Sequence, residues 1–435
     1  MALTSLTSLN SLTPPFAKFQ LLINFVNFHY KKIMTITKRY YQHYNILALC
    51  VLVWLSGFML LFNSCGNRTA TAQDSGDTIQ LDYAKHLQLI RHKGYTEAVV
   101  LNPWKQGGEL HRYLLVPKGV EGDEVAKKLA DQKTAITGTT PCDILRTPLT
   151  KSIITTSAHC QLLYELGRQQ AIAGVCDLEY ILIPDVQRRT SHKSRPYISN
   201  CGSSMQPDIE RIMSLRPDAL LLSPFENSGG YGKLSALQIP IIEAADYMET
   251  SPLGRSEWIK FYGLLYGSEK ATSLFSGIEK SYLQLKAFAA KLPLGYSILT
   301  ERKTGSVWYV SGGRSTIGTL LRDAHARYLF ADDTHSGSLP MSPEQILAKA
   351  DEVDVWATKY WGDHPLSRAE LLQEYPGYSQ LKAMKTGRVF QASTSSQPYF
   401  EQTSFHPERL LREFIILSHP ETTRSLGALR YYLRL

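Results

Sequence analysis

Ser157 and His159 are the first residues along the chain whose types and placement could contact a ligand. Both stand at the end of the apolar segment 153–157 (IITTS), which predicts a β-strand that leads into a helix. In α/β folds, ligands bind beyond the carboxyl ends of parallel strands, so these side chains could contact a metal chelate. The alternative is structural, with His159 capping the helix or forming a satisfied polar group.

The spacing of the other histidines does not predict a metal site. No second His follows His159 at the spacing of paired metal ligands. Three more are scattered further along the chain: His325, His335 and His364. We therefore predict no metal ligands and no cofactor.

Aromatic residues at the ends of predicted strands indicate a binding cleft more strongly. Rings at such positions present flat apolar area to a large ligand. The residues that we predict to line the cleft with Ser157 and His159 are Tyr180, Phe225, Trp308, Tyr309 and Trp361. Trp356 alternates within the predicted strand 353–357 and is equally consistent with a core position.

The sequence offers no catalytic signature. Gly-x-Gly-x-x-Gly, Gly-x-Ser-x-Gly and His-Glu-x-x-His are all absent. The glycine-rich segment 229–233 is not a phosphate loop, because Asn227 replaces its first Gly and Leu234 replaces the Ser or Thr after Lys233. We therefore predict no catalytic residues and no enzyme activity. The alternative is a membrane-anchored, metal-dependent enzyme or chelatase that has the fold of a binding protein.

Four cysteines follow residue 65: Cys142, Cys160, Cys176 and Cys201. No two of them form a Cys-x-x-Cys pair. If the chain is exported, an oxidising compartment makes disulfides between them plausible. Four cysteines allow three pairings. We favour Cys176 with Cys201, because both follow short apolar runs and could meet at strand ends.

The elements that must position these residues alternate between strand and helix. Strands are predicted at 153–157, 219–223 and 240–244, and again at 296–300, 307–311, 353–357 and 388–392. Between the two series lies mostly helical sequence, within which residues 268–292 keep apolar side chains on one face. A hairpin-like pair at 97–102 and 111–116 precedes the first series. The pattern predicts two α/β lobes joined by a long helix.

The basic charge of the chain belongs largely to its first residues. Residues 1–64 contain five Lys or Arg and no acid, so the rest has 42 basic and 39 acidic residues, and we predict no nucleic-acid binding. Lys38-Arg39, the apolar run 46–62 and Cys65 resemble a secretory signal that ends in the lipobox of bacterial lipoproteins. Phe62 and Asn63 depart from that pattern, and an uncleaved membrane helix is the alternative.

The predicted leader is longer than a usual signal peptide. Met34 begins a segment of normal length, so translation is expected to start there, and an N-terminal peptide measurement would test this. Residues 66–80 are small and polar, typical of a flexible tether. Either reading of the apolar run places the residues after about 66 outside the cytoplasm.

Several segments resemble, in order, the substrate-binding proteins of iron-siderophore, haem and cobalamin importers. These are residues 148–177 (PLTKSIITTSAHCQLLYELGRQQAIAGVCD), 209–223 (IERIMSLRPDALLLS), 236–244, 251–267, 308–324 and 342–356 (SPEQILAKADEVDVW). The resemblance covers roughly residues 145–415. It implies a class III periplasmic binding protein: two Rossmann-like lobes with parallel sheets, joined by one long α-helix that allows only a small hinge motion.

The resemblance also implies the partners and their contacts. The ligand would be a small metal chelate or corrinoid held in the cleft, and a surface Glu on each lobe would dock to an ABC permease with its ATPase. Glu344 matches the second-lobe residue, and Glu226 is the first-lobe candidate, with Glu249 or Glu257 as substitutes. Such charges orient docking more than they add affinity.

We therefore predict a monomeric, lipid-anchored binding protein on the periplasmic side of a bacterial membrane. Its parts are a signal peptide (1–64), a lipidated tether (65–80), a first lobe with a β-rich preamble (81–254), a helical connector (255–292) and a second lobe (293–435). A non-transport adhesion or scaffold lipoprotein is a further alternative, for which the cleft should be shallow.

Overall fold

The computed structural model describes residues 76–138, 140–191, 195–226 and 231–435. The predicted leader, Met34, Cys65 and most of the predicted tether lie outside these residues. The strands are β1 (Asp77–Ile79), β2 (Leu87–His92), β3 (Tyr95–Leu101), β4 (Glu109–Pro117), β5 (Cys142–Thr147), β6 (Ser152–Ile154), β7 (Ile172–Val175), β8 (Ser199–Asn200), β9 (Ala219–Leu222), β10 (Ile241–Glu243), β11 (Ile298–Leu299), β12 (Lys303–Thr304), β13 (Val307–Ser311), β14 (Ser338–Met341), β15 (Val355–Tyr360), β16 (Val389–Ser393) and β17 (Tyr432–Arg434).

The α-helices fill the connections between these strands. They are α1 (Val120–Thr137), α2 (Ser157–Glu165), α3 (Pro184–Thr190), α4 (Ile209–Leu215), α5 (Pro252–Glu257), α6 (Ile259–Tyr266), α7 (Lys270–Ala289), α8 (Thr316–Asp323), α9 (Pro343–Leu347), α10 (Arg368–Glu374), α11 (Lys382–Thr386), α12 (Tyr399–Thr403), α13 (Pro407–Ser418) and α14 (Thr423–Leu426).

Residues 77–147 form a five-stranded sheet of their own, in the order β1-β2-β3-β4-β5. The predicted hairpin is confirmed as β3 and β4, which pair antiparallel at its centre. β1 corrects the predicted tether, because its residues pair with β2 from Asp77 opposite Arg91. Its polar side chains at the sheet edge are mostly exposed, which made this strand indistinguishable from a linker in the sequence.

The first lobe contains a parallel sheet in the order β10-β9-β6-β7-β8. The three strands predicted at 153–157, 219–223 and 240–244 are confirmed as β6, β9 and β10. All their residues are buried, as expected of a parallel sheet that is covered on both faces. The helix that follows Pro207 is α4, whose N-cap Asp208 accepts a hydrogen bond from the Arg211 N–H.

The long helix predicted within residues 268–292 is confirmed as α7. Its 20 residues span about 30 Å at about 1.5 Å per residue. Phe275, Ile278 and Tyr282 are buried on one face, and the Tyr282 hydroxyl donates to Asp323 of α8 at 2.7 Å. This contact joins the connector directly to the second lobe.

The second lobe has two sheets rather than one. β11, β15 and β16 are parallel, and β17 pairs antiparallel with β16. The predicted strand 307–311 forms β13 but lies outside this sheet, between β12 and β14 in a three-stranded antiparallel sheet. It pairs with β14, which continues into α9, and α9 begins with a capping box formed by Ser342 and Gln345.

One hydrophobic core runs through both lobes. It contains side chains from the first sheet, the first lobe, the connector and the second lobe, for example Leu87, Ile154, Ile278 and Phe414. The two lobes therefore share one packed interior instead of having two separate cores.

The predicted Cys176–Cys201 disulfide is wrong for this structure, in which both residues are free cysteines. The Cys201 side chain occupies the space above Gly174, where an added Cβ would lie 2.7 Å from its Sγ. Burial raises the pKa of Cys176 to about 12 and that of Cys201 to about 11.

Candidate ligand cleft

The carboxyl ends of the first lobe's strands carry polar loops that are tied together. Thr156 follows β6 and caps α2, where its Oγ1 accepts a hydrogen bond from the His159 N–H. Asp177 follows β7 in a left-handed conformation (φ 50°), which turns the chain into a short 3-10 helix, Leu178–Tyr180. The Asp177 carboxylate accepts a hydrogen bond from the Ser204 N–H at 3.1 Å and so links this turn to the loop after β8.

Tyr180 and Trp361 meet across the boundary between the lobes. Tyr180 belongs to the first lobe, and Trp361 directly follows β15 in the second. Their ring centroids are 4.8 Å apart at an interplanar angle of 59°. Because Tyr180 is 52% exposed and Trp361 53% exposed, each ring keeps about half of its surface free for a further contact.

A cavity of about 650 Å³ lies at the same edge of the first-lobe sheet. Its wall combines the hydroxyls of Thr156 and Ser223, the amine of Lys233, and the apolar side chains of Met205 and Phe225. Phe225 is 56% exposed there, as a ligand-contacting ring would be. The volume is within the range of small-molecule sites, about 300–1,000 Å³.

His159 does not reach this cavity, which corrects its prediction as a cleft residue. It is 2% exposed. Its Nε2 lies 3.0 Å from both Asp246 Oδ1 and the Tyr262 hydroxyl, and its Nδ1 lies 2.6 Å from Thr156 Oγ1. The structural alternative is therefore the observed one.

The carboxylate of this buried network is compensated from two sides. Asp246 Oδ2 also accepts a hydrogen bond from Arg255 Nε at 2.9 Å. Burial by itself would raise the pKa of Asp246, but His159 and Arg255 outweigh it and lower that pKa. His159 thus links the Thr156 hydroxyl to the buried Asp246 and Tyr262 and does not contact a ligand.

The prediction that Trp308 lines the cleft is also wrong. It is fully buried in a second hydrophobic cluster together with Trp356, and both indole N–H groups donate to the Glu301 carbonyl. Tyr309 is the next residue of β13, so it points to the opposite face, where it is 48% exposed beside Pro340 of β14. Ser157 lies half-buried at the first position of α2.

Of the four predicted docking residues, two are exposed and two are buried. Glu226 and Glu344 are exposed on the first and second lobe. Glu249 and Glu257 are 3% and 0% exposed, so they cannot serve as the substitutes that the sequence allowed. Both carboxylates accept hydrogen bonds from backbone N–H groups of the segment 82–86.

Some residues at this site were not predicted. Met205 and Lys233 line the cavity without any motif to distinguish them. Thr156 carries a usable signal, because a Thr before a helix start is a common N-cap. Glu401 of α12 accepts a hydrogen bond from the Leu182 N–H across the lobe boundary at 2.9 Å, a contact that depends entirely on the tertiary fold.

Among residues 76–435, apart from the short gaps, no helix has both the length and the apolar character needed to cross a membrane. In the same part of the chain, no group of three His, Cys, Asp or Glu side chains is arranged to hold a metal ion.

Comparison with known proteins gives a family. A model described as periplasmic binding protein matches residues 153–394, more than half of the chain. An uncharacterized lipoprotein of Methanocaldococcus jannaschii is 24% identical over 294 residues, which is 64% of this chain and 67% of that protein. A second uncharacterized lipoprotein of this organism is 25% identical over 235 residues, 52% of this chain but only 59% of its own length.

Solved structures of similar proteins match at lower identity. An ABC transporter substrate-binding protein from Listeria monocytogenes is 18% identical, covers 62% of this chain and 99% of that chain, and has a TM-score of 0.49. A periplasmic haem-binding protein from Pseudomonas aeruginosa is 19% identical, covers 62% of this chain and 93% of that chain, and has a TM-score of 0.48. On the family match over residues 153–394, and with two lobes of parallel sheet joined by a single long helix, the chain belongs to the periplasmic binding protein family, in its helical-connector class.

Proposed function

We propose that the chain is the substrate-binding component of an ATP-driven importer. It captures an iron-siderophore, haem or cobalamin-type ligand between its lobes and delivers it to the permease. The observation that carries the proposal is the contact of Tyr180 with Trp361, one ring from each lobe, each about half exposed. A flat, largely apolar chelate or macrocycle can stack on such rings, and aromatic pairs contribute roughly 0.5–1.5 kcal/mol beyond the area that they bury.

The first-lobe cavity supports the same proposal. Phe225 adds a third exposed ring, and the hydroxyls of Thr156 and Ser223 with Lys233 can hydrogen-bond the polar groups of a chelate. Because Tyr180 and Phe225 belong to the first lobe and Trp361 to the second, we infer that a ligand is held by both lobes, with Ser157 and Tyr309 as further candidates.

Anchoring and delivery complete the proposed function. Cys65 would carry the lipid that keeps the protein at the outer side of the cytoplasmic membrane, and the matched M. jannaschii proteins are named lipoproteins. Glu226 and Glu344, one exposed on each lobe, would contact basic pockets of the permease. We propose that the protein acts as a monomer and binds its ligand without turnover.

Thermal unfolding in the presence of candidate ligands tests this function. The probes are haemin, ferrioxamine B and cyanocobalamin. A probe that binds only the native state stabilises it by about 2.7 kcal/mol at a hundredfold excess over its Kd and therefore raises the melting temperature. No shift with any of the three, or chemical conversion of the bound probe, would contradict the proposal.

Variants of the two rings make the test specific to the cleft. Tyr180→Ala and Trp361→Ala should each weaken binding of the active probe roughly tenfold, because each removes a large apolar contact. Leu283→Ala is the matched control. Leu283 is a similarly exposed apolar residue (44%), but it belongs to the connector helix α7 and not to either ring position. Equal affinities of all three variants would place the ligand elsewhere.

A further inference from the structure

A second cavity, of about 780 Å³, lies where the first sheet meets the first lobe, and we name it the joint cavity. It is lined by Trp104 and Leu110 from the first sheet and by Phe225, Tyr231 and Ile239 from the first lobe. The family match begins at residue 153, so the first sheet lies before the matched segment. One wall of the joint cavity therefore comes from a part of the chain outside that match.

The joint cavity adjoins the cleft cavity of about 650 Å³ described above, because Phe225 and Tyr231 line both of them. Phe225 follows β9 at the carboxyl end of the first-lobe sheet and is 56% exposed. A ligand that contacts this ring in the cleft therefore already lies beside the joint cavity. The two volumes together exceed about 1,000 Å³, the upper end for sites of drug-sized ligands, so they can hold a ligand larger than the cleft cavity alone.

The turn between β3 and β4 holds Trp104 in place before a ligand binds. Asn102 Oδ1 accepts hydrogen bonds from the Trp104 and Lys105 N–H groups, both at 3.0 Å. The Asn102 N–H donates to the Gly108 carbonyl at 2.8 Å, and the Gly108 N–H donates to the Lys105 carbonyl at 3.0 Å. Because this backbone is already ordered, it loses little conformational entropy on binding, and Trp104 is a pre-organised contact.

The first sheet is also fixed against the first lobe. Tyr113 of β4 is fully buried. Its hydroxyl donates to the Ile241 carbonyl and accepts from the Glu243 N–H, both at 2.8 Å. These two residues belong to β10, the edge strand of the first-lobe sheet. The fold itself therefore sets the position of the Trp104 turn relative to the lobe.

The lining of the joint cavity disfavours negative charge. Asp143, Glu226 and Glu243 contribute three carboxylates to it, against the single ammonium of Lys105. A haem carries anionic propionates, and the nucleotide arm of a cobalamin carries an anionic phosphate. A ferric trihydroxamate is neutral and can carry an alkyl arm, which suits the aromatic and aliphatic surface of this cavity.

We propose that the joint cavity is a subsite of the ligand cleft and that it binds an apolar arm of a hydroxamate-type iron chelate. The inference rests on the proposed function and narrows its ligand class. The iron-binding core lies against Tyr180 and Trp361, and the arm passes Phe225 and packs on Trp104. Trp104 thus distinguishes a chelate that has an arm from one that has none.

Calorimetric titration of the full-length protein in detergent tests this subsite with ferrioxamines that share the trihydroxamate chemistry. N-acetylferrioxamine B has a neutral arm, N-succinylferrioxamine B has an anionic arm, and the cyclic ferrioxamine E has none. We expect the wild type to bind N-acetylferrioxamine B about tenfold more tightly than either of the others, because only its arm buries apolar surface without adding negative charge.

Variants assign the difference to the ring. Trp104→Ala should weaken binding of N-acetylferrioxamine B about tenfold and that of ferrioxamine E by less than about twofold, because only the arm contacts this side chain. Trp104→Phe keeps an aromatic surface and should retain most of the affinity. Trp361→Ala should weaken both probes alike. Arg91→Ala, exposed on β2 of the same sheet, is the control that should change neither.

The possible failures are distinguishable. Equal affinities of the wild type for N-acetylferrioxamine B and ferrioxamine E would overturn the inference, as would an equal loss of both in Trp104→Ala. Binding of haemin or cyanocobalamin but of no ferrioxamine would also overturn it, yet would leave the importer function standing. Binding of none of these chelates would contradict the importer function itself, and this inference with it.

Discussion

His406 Nε2 lies 2.9 Å from Glu165 Oε2, so a ring at the start of α13 in the second lobe contacts a carboxylate at the end of α2 in the first. Its Nδ1 lies 2.9 Å from Glu408. Burial by itself would lower the pKa of His406, but the two carboxylates outweigh it and raise that pKa. Burial would likewise raise the pKa of Glu165, yet His406 lowers it.

This pair predicts a pH-dependent part of the stability. A raised His pKa contributes stability that is fully present below the ordinary value of 6.5 and lost as the pH rises through the folded value. The lowered pKa of Glu165 contributes stability above 4.5 that is lost in acid. His406→Gln should therefore reduce the free energy of unfolding by about 1.5–3 kcal/mol between these values, and by less above the folded pKa of His406.

Urea denaturation of wild type and variant from pH 5 to pH 9 measures this difference. His335→Gln is the matched control, because His335 is mostly exposed beside Asp333 and should contribute about 0–1 kcal/mol. A difference for His406→Gln that is constant across the pH series would show that the ring contributes by packing alone.

We expect the nearly isosteric substitution Glu257→Gln to lower the free energy of unfolding strongly. Its carboxylate accepts hydrogen bonds from the Asp82, Tyr83 and Ala84 N–H groups at 2.8–3.0 Å and from Lys260 at 2.7 Å. Glu257→Gln replaces one acceptor with a donor that faces N–H groups and removes the carboxylate that pairs with the Lys260 ammonium. We expect a loss of about 3 kcal/mol in the free energy of unfolding.

The same denaturation experiment measures this loss, with the exposed Glu210→Gln as its control. Hydrogen exchange adds a local readout, since the amides of residues 82–86 should lose protection first. A loss below about 0.5 kcal/mol would mean that the segment 82–86 is held without this carboxylate.

The sequence was sufficient to predict the helices and strands, but less so to predict which of their side chains are buried. Local periodicity was sufficient for the connector α7 and for β6, β9 and β10, because their apolar patterns follow from the helix and strand geometry itself. Trp308 and Tyr309 show the limit. Adjacent residues of a strand face opposite sides, so only one could be exposed, and the pattern did not say which.

The prediction that Glu249 or Glu257 is an exposed docking residue was wrong for a different reason. Their charge predicts exposure in any sequence-based reading, and their burial depends on a segment more than 160 positions earlier that brings backbone donors to them. His159 is similar, since Asp246 and Tyr262 come from distant positions. Contacts of this kind have no local signature.

Cys65 gives a test of the proposed anchor. Cys65→Ala removes the thiol that would be diacylated, so the protein should move from the membrane fraction to the soluble fraction. Fractionation followed by immunoblotting measures the shift, and Cys50→Ala, within the apolar run, is the control that should stay with the membrane. Retention of Cys65→Ala in the membrane would favour an uncleaved apolar helix.

Glu344 gives the test of permease docking. It is exposed in the first turn of α9, where its own backbone N–H and the Ser342 hydroxyl lower its pKa and keep it charged at neutral pH. Glu344→Arg should therefore reduce ligand uptake into proteoliposomes at least tenfold, because the reversed charge repels a basic pocket. The affinity of the variant for the ligand in solution should stay within about twofold of the wild-type value. Such an exposed charge contributes little to the stability of the fold, so the cleft should be unchanged. Glu352→Arg, exposed on the same lobe, is the matched control for a general effect of charge. If Glu344→Arg lowered ligand affinity and uptake by the same factor, the residue would act on the cleft and not on docking.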